Sequence, residues 1–223
     1  MSFREQGGVA LITRSLIELV FSAANMERWN DHPRPAVFTE LGKQAHKMIM
    51  AWVIARYESE VRGAALDWTA LIEGGIFEFL HRVVLTDIKP PIFHKLMQDG
   101  EQRRKLNEWV ASALSFDLES LSPGFAARFR DYIFGPEEAT LERKSLRAAH
   151  YLATKWEFDF VYHWSKTKSM FGLEQTNAEI SRQVNEHRDL RAIDEILAAR
   201  DLQDRDMGLW GFLSLVGQLG FQK

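Results

Sequence analysis

The chain has 223 residues, 46% of them apolar, with a formal net charge of −3 and a sequence pI near 6.2. That balance supports one sizeable core and excludes the basic surface that would engage nucleic acid. The absence of cysteine excludes disulfides and thiolate metal sites, and it fits a reducing compartment. The N-terminal stretch MSFREQGGVALITRS is broken by charge and lacks the apolar core of a signal peptide. No uncharged run is long enough to span a bilayer. A soluble, cytoplasmic protein without a membrane partner is expected.

Val9 to Met26 is predicted to be an amphipathic helix, with Leu11, Leu16, Leu19, Val20 and Ala23 spaced for burial. Prolines and polar residues make the following stretch, from Arg28-Trp29 to Pro35, a loop. Thr39 can cap the next helix, where His46, Ile49, Met50, Val53 and Tyr57 recur at helical spacing and turn His46 inward. Asp67 can cap a third helix, in which Gly74 and Gly75 imply close backbone packing. A short apolar turn follows Pro90-Pro91, then a charged helix from Gln102 to about Leu114 whose EQRRK run is a solvated face. Ser122-Pro123 opens another helix through Ala126 to Phe134, and Gly135-Pro136 breaks it. Glu137 to about Met170 is long and apolar on several sides, as a central helix would be; Thr176 to Arg200 is more charged and belongs outside. A last helix is predicted from about Arg205 to Gln222. Alternating β-branched runs bounded by turns do not occur, so the fold class is all-α.

Glu73 to Pro91, EGGIFEFLHRVVLTDIKPP, carries the densest chemistry. Helical spacing puts Glu78, His81 and Arg82 on one face, ahead of Thr86-Asp87 and the two prolines. Two readings stand: a metal or phosphate site looking into a bundle, or a helix end with a few exposed charges. Leu16 to Val20 also has a counterpart in Phe212 to Val216, through chance similarity of amphipathic helices or as the start of a tandem array.

Arg28-Trp29, an inward His46, Leu85-Thr86-Asp87-Ile88-Lys89-Pro90-Pro91 and Leu146-Arg147-Ala148-Ala149-His150 occur in a telling order. Over roughly Leu16 to Val161 this order resembles the HD-domain superfamily of metal-dependent phosphohydrolases, and most closely its bacterial 5′-deoxynucleotidase branch. The resemblance implies an HD-like helical bundle over residues 1–204, with 205–223 as a C-terminal helix or the start of a second unit. It implies a divalent metal, zinc, manganese, iron or cobalt, that polarises a phosphate and supplies an activated water.

Carried over residue by residue, the family's first metal-binding His falls on His46 and its later Asp falls on His150. The His-Asp pair falls on Glu78-Phe79, and an acidic residue implicated in catalysis falls on Arg82. The resemblance therefore implies a rearranged metal set of His46, Glu78 and His150, with Asp87 orienting water and Arg82 holding phosphate. Arg28 and Trp29 match the pair that lines the nucleotide pocket; equally, the Trp caps the core while the Arg pairs with a nearby carboxylate. Hydrolysis of a nucleotide phosphomonoester is one expectation. The other is a catalytically inactive HD fold kept for ligand sensing or protein interaction, as a homo-oligomer or one unit of a tandem.

Overall fold

The computed structural model describes residues 12–29, 34, 36–86, 88, 90–136, 140–162 and 174–182. Among them the fold is all-α, with only two two-residue strands. The helices are α1 (Arg14–Ser22), α2 (Glu40–Glu60), α3 (Trp68–Val84), α4 (Pro90–Gln98), α5 (Gly100–Leu121), α6 (Phe125–Phe134) and α7 (Leu141–Tyr162), followed by a short helix over 174–182. Strand β1 (Glu27–Arg28) pairs antiparallel with β2 (Phe38–Thr39), Arg28 opposite Phe38. No helix among the described residues is long and apolar enough to cross a membrane. The expected helix over 205–222 and the repeat built on Phe212 to Val216 lie outside the described residues.

Side chains set where these helices begin. The Thr39 hydroxyl accepts from the Gly42 N–H at 3.0 Å, Asp67 Oδ1 from the Ala70 N–H at 3.0 Å, and Asp99 Oδ1 from the Glu101 and Gln102 N–H groups at 2.9 and 3.0 Å. Each satisfies donors that a helix start leaves open. Thr13 does the same for Leu16 at 3.2 Å, so α1 starts at Arg14 rather than Val9. Where the sequence suggested an apolar turn after Pro90-Pro91, the chain forms α4, because proline fits the first helical positions, whose N–H groups need no intrahelical partner. Gly124 caps α6 in the left-handed conformation at φ 73°, and its N–H reaches the Glu119 carboxylate at 3.0 Å.

The chain divides into two compact units, Met1–Met26 with Glu73–Pro136, and Glu27–Ile72 with Glu137–Lys223. In the first unit Phe77 of α3 sits among the rings of Phe125, Phe129 and Tyr132 on α6, at 5.0, 5.4 and 5.5 Å between centroids. Val110, Leu114 and Leu118 of α5 complete this core, and α1 adds Leu16, with Ala23 just past its end. Leu19 and Val20 are only partly buried there, and Leu11 lies outside the described residues. Gly74 and Gly75 are buried, as close packing of α3 requires.

In the second unit α2 packs along α7. Met50, Ala51, Ile54 and Ala55 face Leu146, Ala148, Ala149 and Leu152, all 1% exposed or less. The alanines on both helices allow their backbones to approach closely. Met50 therefore carries the buried edge of α2, whereas Ile49 next to it is 53% exposed. Ile180, from the helix over 174–182, joins the same core.

Phe129→Ala should lower unfolding free energy by about 3–5 kcal/mol in urea titrations, because it removes a buried ring packed on Phe77. Phe116→Ala, on a side chain 73% exposed, should change it by less than about 0.5 kcal/mol.

Candidate functional site

Charged residues are rarely found inside a helix pair, yet the second unit holds a cluster of them. Glu40, Lys43 and Lys47 recur on α2 at intervals of three and four residues, which places them on one side of the helix. Glu157 on α7 is 2% exposed, Lys47 3% and Glu40 7%. Strand β1 delivers Arg28 between the two carboxylates. Its guanidinium reaches Glu157 through Nε, at 3.1 and 3.2 Å, and through Nη2 at 2.8 Å, while Nη1 donates to Glu40 at 2.9 Å. Arg34 donates to the Arg28 carbonyl and to the Glu27 carboxylate, which ties the strand in place.

Trp29 completes the arrangement. Its backbone has φ 58°, the only positive value at a non-glycine among the described residues. Such a conformation costs about 1–3 kcal/mol and persists only where the surroundings enforce it. Here the indole Nε1 donates to Glu157 Oε2 at 3.0 Å, and the ring meets Phe158 edge-on at 4.7 Å. Arg28 and Trp29 thus aim their N–H groups at a single carboxylate.

Electrostatics follow from that geometry. Burial alone would disfavour the Glu157 carboxylate, but Arg28 and Lys43, with the bonds from Arg28 and Trp29, hold it below the usual carboxylate range. Burial alone would likewise disfavour the Arg28 cation, and Glu157 and Glu40 more than offset this. Lys43 receives no such compensation. Burial, followed by the Arg28 charge, pushes its ammonium down to about 7, with the carboxylates only partly opposing. Its Nζ donates to Thr154 Oγ1 at 2.7 Å. Burial also lowers His46, whose ring stands edge-on to Trp156 at 4.9 Å.

Of the residues singled out from sequence, Arg28, Trp29, His46 and His150 all belong to the second unit. His46 and His150 lie on the packed pair α2 and α7, and the His150 carbonyl accepts from the Thr154 hydroxyl at 2.7 Å. Glu78 and Arg82 belong to the first unit. Glu78 Oε1 accepts from the Tyr132 hydroxyl at 2.6 Å. Arg82 Nη1 points at the carbonyls of Leu85 and Ile88, at 3.4 and 3.5 Å, and its guanidinium lies over the Phe93 ring at 5.3 Å. A cation there complements the C-terminal end of α3. His81, from the same predicted face, is buried against Asn107 Oδ1 at 2.9 Å. Asn107 Nδ2 donates to the Ile133 carbonyl at 2.7 Å, so its Oδ1 is the acceptor and His81 carries its proton on Nε2. Asp87 lies outside the described residues.

Among the described residues no group of three or more His, Asp or Glu side chains is placed to hold a metal ion. Compared with known proteins, the chain matches no family model and no curated protein. The sequence reading passed over Glu40, Lys43, Lys47, Thr154 and Glu157. A usable signal was present in the α2 spacing Glu40, Lys43, Lys47 beside the apolar Met50 and Ile54, and in Glu157 set between the aromatic Trp156 and Phe158 of α7.

Lys43 makes stability depend on pH. Its folded-state value near 7 lies below the ordinary lysine value of 10.5, so between these the unfolded chain binds the additional proton. Stability should therefore rise with pH across that window and lose this gain as pH falls toward 7. Urea denaturation at about pH 7 and about pH 9 should show a larger gain for the wild type than for Lys43→Met. Parallel pH dependence in the two proteins would remove Lys43 from the explanation.

Proposed function

We propose that the chain is an HD-like helical module that binds a phosphate-bearing small molecule, of nucleotide type, without hydrolysing it. The carrying observation is Arg82, a cation bound to the end of α3 and over Phe93 where the resembled family has a catalytic carboxylate. A guanidinium there cannot accept a proton from water as a carboxylate would. The engagement of Glu78 by Tyr132 supports the same reading, since it commits one carboxylate oxygen to a hydroxyl donor. For recognition the module retains Arg28 and Trp29, whose N–H groups converge on the Glu157 carboxylate. An anionic ligand group would compete with Glu157 for those donors.

A second reading, hydrolysis with a divalent ion at His46 and His150, is favoured by the lowered His46. A neutral imidazole is the form that ligates a metal. In that reading Arg28 holds the phosphate and Trp29 contacts the nucleoside. The cytoplasm, and assembly as a homo-oligomer or with a tandem partner, suit either reading.

Protein purified without a histidine tag or chelator separates the two by elemental analysis and phosphate release from nucleoside 5′-monophosphates. The binding module should show no release with added zinc, manganese, iron or cobalt. It should bind a nucleoside monophosphate in calorimetry, about tenfold more weakly as Trp29→Phe, which deletes one hydrogen bond to a charged acceptor. One equivalent of metal lost in His46→Ala, together with metal-dependent turnover, would overturn it in favour of the hydrolase.

A further inference from the structure

Helix α2 is apolar on two opposite sides. Met50, Ala51, Ile54 and Ala55 face α7, while Leu41, Gly42, Ala45, Ile49 and Trp52 are exposed on the far side. Spacings of four, four and three residues align Leu41, Ala45, Ile49 and Trp52 in one row along the helix. No charge interrupts the row. Arg56 and Glu60, joined to each other, close its C-terminal end, and the Arg56 guanidinium lies 5.9 Å from the centre of the Trp52 ring. Ile49 and Trp52 are each more than half exposed, as is Val37 shortly before the helix. Single apolar side chains on a surface are ordinary, but a helix apolar on both sides is built for an interior.

We propose that the exposed side of α2 is the interface of a symmetric, antiparallel homodimer of this chain. The row is complementary to itself. About a two-fold axis beside Ile49, antiparallel pairing sets Trp52 opposite the partner's Ala45 and Arg56 opposite the partner's Leu41, and the two Ile49 side chains meet at the axis. Gly42 and Ala45 carry no bulk, so they leave a hollow between Leu41 and Ile49 that the partner's indole fills, as a knob enters a hole. Glu60 comes beside the start of the partner's α2, where the positive end of the helix dipole favours an anion. Parallel pairing would instead stack Arg56 on Arg56 and leave the two small residues facing each other. With Val37 the covered row amounts to about 1,000 Å² over both copies, the low end for a specific interface, which fits a reversible dimer. The dimer stands whether or not the module binds or hydrolyses a phosphate compound.

The test starts from sedimentation equilibrium of the full-length chain. A monomer–dimer equilibrium with a dissociation constant of about 1–100 μM is expected, weakened at least about tenfold by Trp52→Glu and unchanged by Phe116→Glu, an exposed aromatic of the first unit. The chain lacks cysteine, so single cysteines report the geometry even where Trp52→Glu fails to fold. Under mild oxidation Ile49→Cys should give a disulfide-linked dimer. Leu41→Cys should not, because antiparallel pairing holds the two copies of residue 41 about 20 Å apart. A chain that stays monomeric at about 500 μM, or a dimer that Trp52→Glu leaves intact, would overturn the proposal and give the row to another protein or another segment of this chain. Failure of Ile49→Cys to link, or linkage of Leu41→Cys as readily, would overturn the antiparallel arrangement.

Discussion

The ion pair between Arg28 and Glu157 is the interaction on which the second unit depends. It joins the strand that follows α1 in sequence to the last full turns of α7, across 129 residues of chain. Removing two charges from water costs several kcal/mol for each, and only good geometry with further hydrogen bonds recovers it. Both conditions are met: Arg28 engages both Glu157 oxygens, Glu40 takes the remaining guanidinium nitrogen, and Trp29 adds an indole N–H. The left-handed backbone of Trp29 is part of the same arrangement, in which consecutive side chains reach one carboxylate.

Charge balance then explains why Lys43 behaves unlike its neighbours. Within the cluster the carboxylates of Glu40 and Glu157 are matched by Arg28 and Lys47, so a proton on Lys43 is the surplus charge. A low-dielectric surrounding disfavours that surplus, and Thr154 can soften it only as a neutral acceptor. One packed helix pair thus holds both a rigid ion pair and a titratable amine, which is where binding or chemistry in this unit would concentrate.

Much of this architecture was legible in the sequence because its signals are local. Thr39, Asp67 and the Gly135-Pro136 break are read from residues three or four apart, and the helices begin and end accordingly. The limits of local reading appear at α4, where paired prolines suggested a turn yet start a helix, and at α1, which begins only at its Thr13 cap. The site was legible only in part. Arg28 and Trp29 drew attention through a family resemblance, but their acceptor Glu157 could not be inferred, since partners 128 and 129 residues apart leave no periodic trace. Glu78, His81 and Arg82 were read as one polar face, and each instead meets a different helix of the first unit: Tyr132 on α6, Asn107 on α5 and Phe93 on α4.

A double-mutant cycle on Arg28 and Glu157 probes this interaction most directly. Arg28→Met and Glu157→Leu would be compared with the double variant by urea denaturation at neutral pH. Each single change should destabilise by about 3–5 kcal/mol, because it strands a buried charge, while the double variant should cost far less than their sum. Single changes below about 1 kcal/mol that simply add would mean that the pair is a solvated contact and that something else organises the unit.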